Sequence, residues 1–189
     1  MNTETHDTVA AKVAQAWRAD HAAFKRLLDL LDHEVVAFHT GGEPNYLLML
    51  DILQYLHDYG DRSHHPREDV AFALLAQREL AMQLHVARRA QEHRIIAVAA
   101  LRLIEQLNAV LGGDLVARAE VELTAATYLV YYRHHLNAEE EVVIPRAIKL
   151  FTDADWATVA AAGAAAVDPL SPSGVDAGYA KFRRALASG

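Results

Sequence analysis

The chain has 189 residues, 52% of them hydrophobic, so it can bury a sizeable core. Its formal net charge of −7 argues against nucleic acid and against an anionic membrane surface as partners. The absence of cysteine excludes disulfides, thiolate metal sites and iron–sulfur clusters. No secretory signal pattern and no apolar run of membrane-spanning length are found, so we expect a cytoplasmic protein.

Apolar residues recur with a helical period along nearly the whole chain, and no stretch alternates as a strand does. The pattern predicts four long helices, over residues 8–38, 46–76, 78–111 and 114–151. Glycine pairs end the first and third helices, whereas Pro66 and Pro145 interrupt the second and fourth. Short connections between long helices predict an all-α, up-down-up-down four-helix bundle within residues 1–151.

Residues 152–189 differ in composition and predict a short helical C-terminal appendage packed on the bundle. Thr152 and Asp153 are suited to cap an alanine-rich helix near residues 156–167. A Pro- and Ser-rich loop over 168–174 follows. A last helix over 179–186 would pack Phe182 and Leu186 on the bundle.

A lone histidine followed by His-x-x-x-Glu occurs twice, with nearly the same internal spacing. The first copy is His21 with His64 and Glu68, and the second is His93 with His135 and Glu139. Residues four apart on a helix share one face. Four imidazoles and two carboxylates from four helices could therefore converge on a two-metal site, with ligands suited to iron, manganese or zinc. A metal-free buried polar network is the alternative, although buried carboxylates are normally paired or bound to metal.

Two adjacent histidines stand at the start of each His-x-x-x-Glu motif: His64 and His65 in the first, and His134 and His135 in the second. Adjacent side chains point about 100° apart on an α-helix. Only one of each pair is then expected to face the core. The upstream apolar stripe favours His64 over His65, although Pro66 could rotate the register. In the second pair the stripe favours His135 over His134. Four further histidines have no repeat partner and are interpreted as surface or incidental residues: His6, His33, His39 and His85.

Other chemistries fit the sequence poorly. The segment from His33 approaches the zincin helix, but Ala37 stands where the second histidine is needed. The Glu-x-x-His motif of ferritin-like di-iron bundles is absent. Glycine-rich phosphate loops and a serine nucleophile elbow are absent too. A metal centre within the bundle is thus the main hypothesis.

At these residues the chain resembles the hemerythrin-like, or HHE cation-binding, family over about residues 14–151, and its C-terminal part resembles that of bacterial members. The resemblance rests on these motifs: Asp20-His21, His64-His65-Pro66-Arg67-Glu68-Asp69, Glu92-His93, His135-Leu136-Asn137-Ala138-Glu139-Glu140 and Ile144-Pro145. It implies two iron ions joined by an oxo or hydroxo bridge. It also implies that the four repeat histidines are terminal ligands and that Glu68 and Glu139 bridge the metals.

The oxygen carriers of this family use five histidines, a glutamate and an aspartate, so one ligand is unaccounted for here. The residues that could complete or support the site are His57, His65, His134, Tyr128 and Tyr131. The same periodicity places Tyr128 and Tyr131 on the stripe of His135.

Six protein ligands on two metals would leave a coordination position open for a small ligand. The resemblance implies a di-iron protein that binds dioxygen, or that binds, stores or senses nitric oxide or iron. A redox enzyme that consumes peroxide or nitric oxide is the alternative, and an interaction module with a structural metal is a third. Mostly apolar walls, such as Leu28, Leu53 and Ile96, favour binding over turnover. The expected partner is a diatomic ligand or peroxide; a protein partner is left open.

Overall fold

A computed structural model describes residues 9–163, 168–170, 179 and 182, and this part of the chain contains helices but no strand. The helices form four rods. They are α1 (Val9–His39); α2 (Tyr46–Tyr55) and α3 (His65–Arg78), joined by π-helical residues Leu56–His64; α4 (Gln83–Leu111); and α5 (Arg118–Ala138) and α6 (Ile144–Leu150), joined by π-helical residues Glu139–Val143. The connections between rods are short, and the predicted up-down-up-down four-helix bundle is confirmed.

The rod ends follow local sequence signals. Gly41 and Gly113 adopt φ of 82° and 87°, a conformation that favours glycine, just after α1 and α4. Asn45 caps α2 by accepting a hydrogen bond from the backbone N–H of Leu48 at 3.0 Å. A 3₁₀ turn, Leu80–Met82, connects α3 to α4. These signals fix where each rod reverses direction.

Both predicted proline interruptions take the form of a π-helical segment just before the proline. Pro66 and Pro145 occupy the first turn of α3 and α6 respectively, where a missing backbone N–H has no partner to lose. A π turn closes its hydrogen bond over one more residue than an α turn. The side chains that follow such a segment are therefore rotated relative to an unbroken α-helix.

The buried apolar residues form two clusters, one on each side of a polar layer. The larger cluster includes Phe24, Leu53 and Ile96, and the smaller includes Trp17 and Phe72. The buried histidines and glutamates lie along the rods between these two clusters, so the fold surrounds them with apolar side chains above and below.

Helix α7 (Asp153–Gly163) packs on α1 and α3 through Trp156, which is 1% exposed. Its first turn is closed reciprocally, because Asp155 accepts from the Thr152 N–H at 2.7 Å and its own N–H donates to the Thr152 hydroxyl at 3.3 Å. Phe182 is buried in the larger cluster. Leu186, residues 164–167 and most of the predicted last helix lie outside the described residues. No described helix combines the length and apolar character needed to cross a bilayer.

Candidate metal centre

Seven ionisable side chains meet in the polar layer, and none is more than 7% exposed. They are His21, His64, His65, Glu68, His93, His135 and Glu139. All four rods contribute to the layer: α1 and α4 give one residue each, and the other two rods give the remaining five. The structure thus brings together all six residues of the repeat, and adds His65.

Six of the seven side chains, all but Glu139, divide into two groups of potential ligands that share Glu68. One group is His65, Glu68, His93 and His135, and the other is His21, His64 and Glu68; in each, the ligand atoms lie within 4.8 Å of one another. Glu68 Oε1 lies 2.6 Å from His64 Nε2 and 3.1 Å from His21 Nε2. Its other oxygen, Oε2, lies 3.3 Å from His93 Nε2 and 3.7 Å from His135 Nε2. One carboxylate oxygen therefore faces each group.

Glu139 spans the same two groups from the opposite rod. Its Oε1 lies 3.2 Å from His135 Nε2, and its Oε2 lies 3.3 Å from His21 Nε2. The indole N–H of Trp17 donates to Oε2 at 3.3 Å and helps to orient the carboxylate. Each of the two glutamates thus lies between the two histidine groups, with one oxygen towards each.

The outer nitrogen of each histidine lies beside a further carboxylate. The Nδ1 contacts are His64 with Asp20 at 2.9 Å, His93 with Asp69 at 3.0 Å, His65 with Asp61 at 3.1 Å, His135 with Glu92 at 3.3 Å and His21 with Glu140 at 3.4 Å. In each case Nδ1 faces outward and Nε2 faces the centre. Metal-binding histidines have this arrangement, because an outer acceptor fixes the tautomer and the ring orientation.

Several buried polar atoms at the centre lack a hydrogen-bond partner within the described residues. They include Nε2 of His64 and His65, Oε2 of Glu68 and Oε1 of Glu139. His64 Nε2 approaches Glu68 Oε1 to 2.6 Å without the geometry of a hydrogen bond. Unsatisfied buried polar atoms are costly. Their lone pairs converge on common spaces, and a cation held there would satisfy them, so the residues present fit a metal pair.

The buried carboxylates of the centre favour positive charge on the groups around them. Burial alone would lower the pKa of His21, but hydrogen bonds to Glu139 and Glu68 outweigh it and raise that pKa to about 10. Burial is likewise outweighed at His93, where Asp69 and Glu68 raise the pKa to about 10. Against the effect of burial, the charges and hydrogen bonds of surrounding histidines hold the pKa of Glu68 well below its usual value. Without metal, protons on the imidazoles supply the positive charge that the carboxylates attract.

The expectation that only one of His64 and His65 faces the core is wrong, because both are buried. His64 ends the π-helical segment and His65 begins α3. The upstream stripe was extrapolated at α-helical pitch, whereas the π turns take up an additional residue. The direction towards the bundle core consequently lies between the side chains of His64 and His65, so both are buried. Burial and the charge of His93 lower the pKa of His65 to about 3, so its imidazole is neutral, as a metal ligand requires.

The structure places the remaining candidates outside the cluster of seven. The His57 side chain is 16% exposed and contacts Asp61 at 3.0 Å, so it touches the carboxylate behind His65. The His134 side chain is 62% exposed and contacts Glu92 at 3.2 Å, behind His135. Tyr128 is buried among apolar residues, whereas Tyr131 is 39% exposed. His33, His39 and His85 are exposed as expected, and His6 lies outside the described residues.

Tyr132 is a residue that the sequence analysis missed. It is fully buried, and its ring centroid lies 5.6 Å from that of His65 and 6.5 Å from that of His135. Its hydroxyl has no hydrogen-bond partner in the described part of the chain. Tyr131 and Tyr132 both fit a helical spacing between Tyr128 and His135, so periodicity alone did not separate them; the structure selects Tyr132.

Comparison with known families agrees with this geometry. The family model described as Hemerythrin HHE cation binding domain matches residues 12–147. Searches of curated proteins and of solved structures gave no significant match. The matched range contains all seven residues of the cluster and covers well over half of the chain. The protein therefore belongs to the hemerythrin HHE family and carries its cation-binding domain.

Proposed function

We propose that the centre holds two iron ions and binds dioxygen or a similarly small ligand. The observation that carries this proposal is the sharing of Glu68, with one oxygen facing each histidine group. Imidazole nitrogens and carboxylate oxygens suit iron better than a soft metal. Five histidines and two carboxylates also equal in number the ligands that the family's oxygen carriers use. His65 supplies the ligand that the sequence left unaccounted for.

The two proposed cation positions differ in their ligands. Three imidazoles, those of His65, His93 and His135, surround one position. Only two imidazoles, those of His21 and His64, face the other. Glu68 and Glu139 contribute to both. The position with two imidazoles would have room for an exogenous ligand. A reduced iron pair, when present, would supply electrons to the ligand bound there. The protein supplies the metal-binding side chains and the apolar walls.

Those surroundings favour a small ligand and reversible binding. Trp17 and Phe24 are fully buried next to this position, and the Phe24 ring centroid lies 4.9 Å from that of His64. Such walls exclude water and admit only small molecules. Cleavage of an O–O bond needs a positioned acid of suitable pKa. Tyr132, whose ring lies beside those of His65 and His135, is a poor acid, because burial raises its pKa well above the ordinary value.

The metal proposal is tested through its bridge. Protein produced in iron-rich medium is expected to contain about two iron ions per chain. Glu68→Gln removes the charge that both positions share and is expected to lower the content of both together. Glu141→Gln is the matched control, since Glu141 is exposed on the same rod as Glu139. A single zinc that iron does not replace, or a Glu68→Gln protein that keeps both ions, would contradict the proposal.

The ligand proposal is tested by exposing the reduced, iron-loaded protein to dioxygen. We expect a coloured species that persists and can be reduced again. Absorption spectra recorded over time follow both steps. Rapid multiple turnover of peroxide or nitric oxide with an added electron donor would instead support the enzyme alternative.

A further inference from the structure

A second, smaller concave site opens on the surface between α4 and the rod formed by α5 and α6. Its volume is about 200 Å³. Four of the side chains that line it are basic: His85, Arg88, Arg89 and His134. Its remaining lining residues are alanine and valine, and no carboxylate belongs to the described lining. In a chain with a net charge of −7, the two adjacent arginines form a local concentration of positive charge.

The two arginines have hydrogen-bonding capacity to spare. Arg88 is exposed and makes no hydrogen bond or ion pair with the described part of the chain. Arg89 is only 7% exposed, and its Nη2 donates to Glu92 Oε1 at 2.6 Å. Its Nε is buried without a hydrogen-bond partner among the described residues. A guanidinium carries five N–H donors in a rigid fork, so Arg89 retains donors after binding Glu92.

The neighbouring acids do not neutralise this site. Glu92 lies behind the site and, of the two arginines, forms an ion pair with Arg89 only. The same carboxylate oxygen, Oε1, also lies 3.2 Å from His134 Nδ1. Glu141 lines an adjacent depression with His85, not this one. Arg88 is therefore left with an unbalanced charge. The apolar floor, which includes the buried Val143, strengthens charge–charge attraction at the site.

We infer that this cavity binds a small tetrahedral oxyanion of the phosphate or sulfate class. Arg88 and Arg89 would hold the anion by charge-assisted hydrogen bonds, and His85 and His134 would add donors at the rim. Its volume admits the oxyanion, and its alanine and valine side chains offer no hydrogen bond to an organic group attached to it. This site is separate from the metal centre and does not depend on the function proposed for that centre.

The site is nevertheless connected to the metal centre through one carboxylate. Glu92 Oε1 contacts Arg89 and His134 at the cavity, and Glu92 Oε2 lies 3.3 Å from Nδ1 of His135. An anion in the cavity would attract the Arg89 guanidinium that holds Glu92. Its binding would then change how strongly Glu92 holds His135.

The test measures binding of inorganic phosphate to the full-length purified protein by titration calorimetry, with ionic strength held constant by chloride. Arg88→Gln is expected to weaken phosphate binding roughly tenfold or more, as the loss of a charge-assisted hydrogen bond implies. Because Arg88 is exposed, this change should leave the fold and the metal content intact, and both are measured. Arg102→Gln on the same helix is the control for net charge, since Arg102 pairs with Glu105 at 2.8 Å instead.

Two further ligands define the chemical class. Sulfate is expected to displace phosphate, and adenosine monophosphate is expected to bind more weakly than free phosphate. Equal phosphate binding by the wild type and Arg88→Gln would overturn the inference, and so would equal weakening by Arg102→Gln. Tighter binding of adenosine monophosphate would overturn the assignment to a free oxyanion.

Discussion

Gly60 lies within the first π-helical segment, where a side chain would collide with Tyr132. A Cβ atom built on Gly60 would lie 2.7 Å from the Tyr132 hydroxyl oxygen. Tyr132 is fully buried, with its ring centroid 6.1 Å from that of Phe24 and 5.6 Å from that of His65. The phenol cannot move aside without disturbing these rings. We therefore expect Gly60→Ala to destabilise the protein, although alanine is the better helix former.

The magnitude follows from two opposing contributions. Overpacking a core typically costs about 1–3 kcal/mol. Replacing glycine by alanine within a helix stabilises it by about 1 kcal/mol. The net loss is then up to about 2 kcal/mol. Tyr132→Phe removes the oxygen that collides, and that hydroxyl has no hydrogen bond to lose, so Tyr132→Phe alone should be nearly neutral. In the Tyr132→Phe background, Gly60→Ala should stabilise by about 0.5–1 kcal/mol.

The assay is a double-mutant cycle measured by urea unfolding of the metal-free protein, so that metal binding does not contribute. The expected coupling energy between the two changes is about 1–3 kcal/mol. Tyr128→Phe provides the matched control background for Tyr132→Phe. Tyr128 is as buried as Tyr132, but none of its atoms is among the three nearest to a Cβ atom on Gly60. A coupling below about 0.5 kcal/mol would refute the packing argument. Equal coupling to Tyr128→Phe would refute it as well.

Three further predictions concern the centre and the C-terminal helix. His65→Gln should lower the metal content by about one ion per chain, whereas His134→Gln should leave it unchanged, as elemental analysis would show. Because the pKa values of His21 and His93 are raised to about 10, both are protonated at pH 7 without metal. Metal loading should then release at least about two protons, measured with an indicator in weak buffer, and metal affinity should rise with pH towards 10. Trp156→Ala should cost about 3–5 kcal/mol in unfolding free energy measured by urea titration, since this side chain is 1% exposed.

The sequence was sufficient for the rods because their signals are local. Apolar periodicity and the glycines after α1 and α4 placed the end of α1 within a residue of His39 and the end of α4 at Leu111. The π-helical segments have no comparable local signal. The prolines indicated an interruption, but whether the chain kinks, restarts or widens there depends on how the rods pack. His65, the additional residue that faces the core, is a consequence of that packing.

The same distinction separates the predicted from the unpredicted parts of the centre. A spacing of four residues put Glu68 and Glu139 on the faces of their histidines, and both are fully buried in the cluster. The carboxylates that contact Nδ1 mostly come from other rods, as Asp20 does for His64. Such contacts depend on how two helices approach each other, which periodicity within one helix does not contain. The direction of His65 and the choice of Tyr132 over Tyr131 each depend on a rotation of part of a turn, which the periodicity does not resolve.

The two π-helical segments occupy different places in the internal repeat. In the first half the segment ends at His64, before the second histidine of the pair; in the second half it begins at Glu139, after the pair. His65 is accordingly turned inward and joins the position served by the other half, while His134 is turned outward. A bundle assembled from two copies of the first half would present three imidazoles at each position, and one assembled from two copies of the second half would present two. The chain combines unlike halves. The two proposed cation positions therefore differ in their number of imidazoles because the π-helical segment lies at a different place in each half of the repeat.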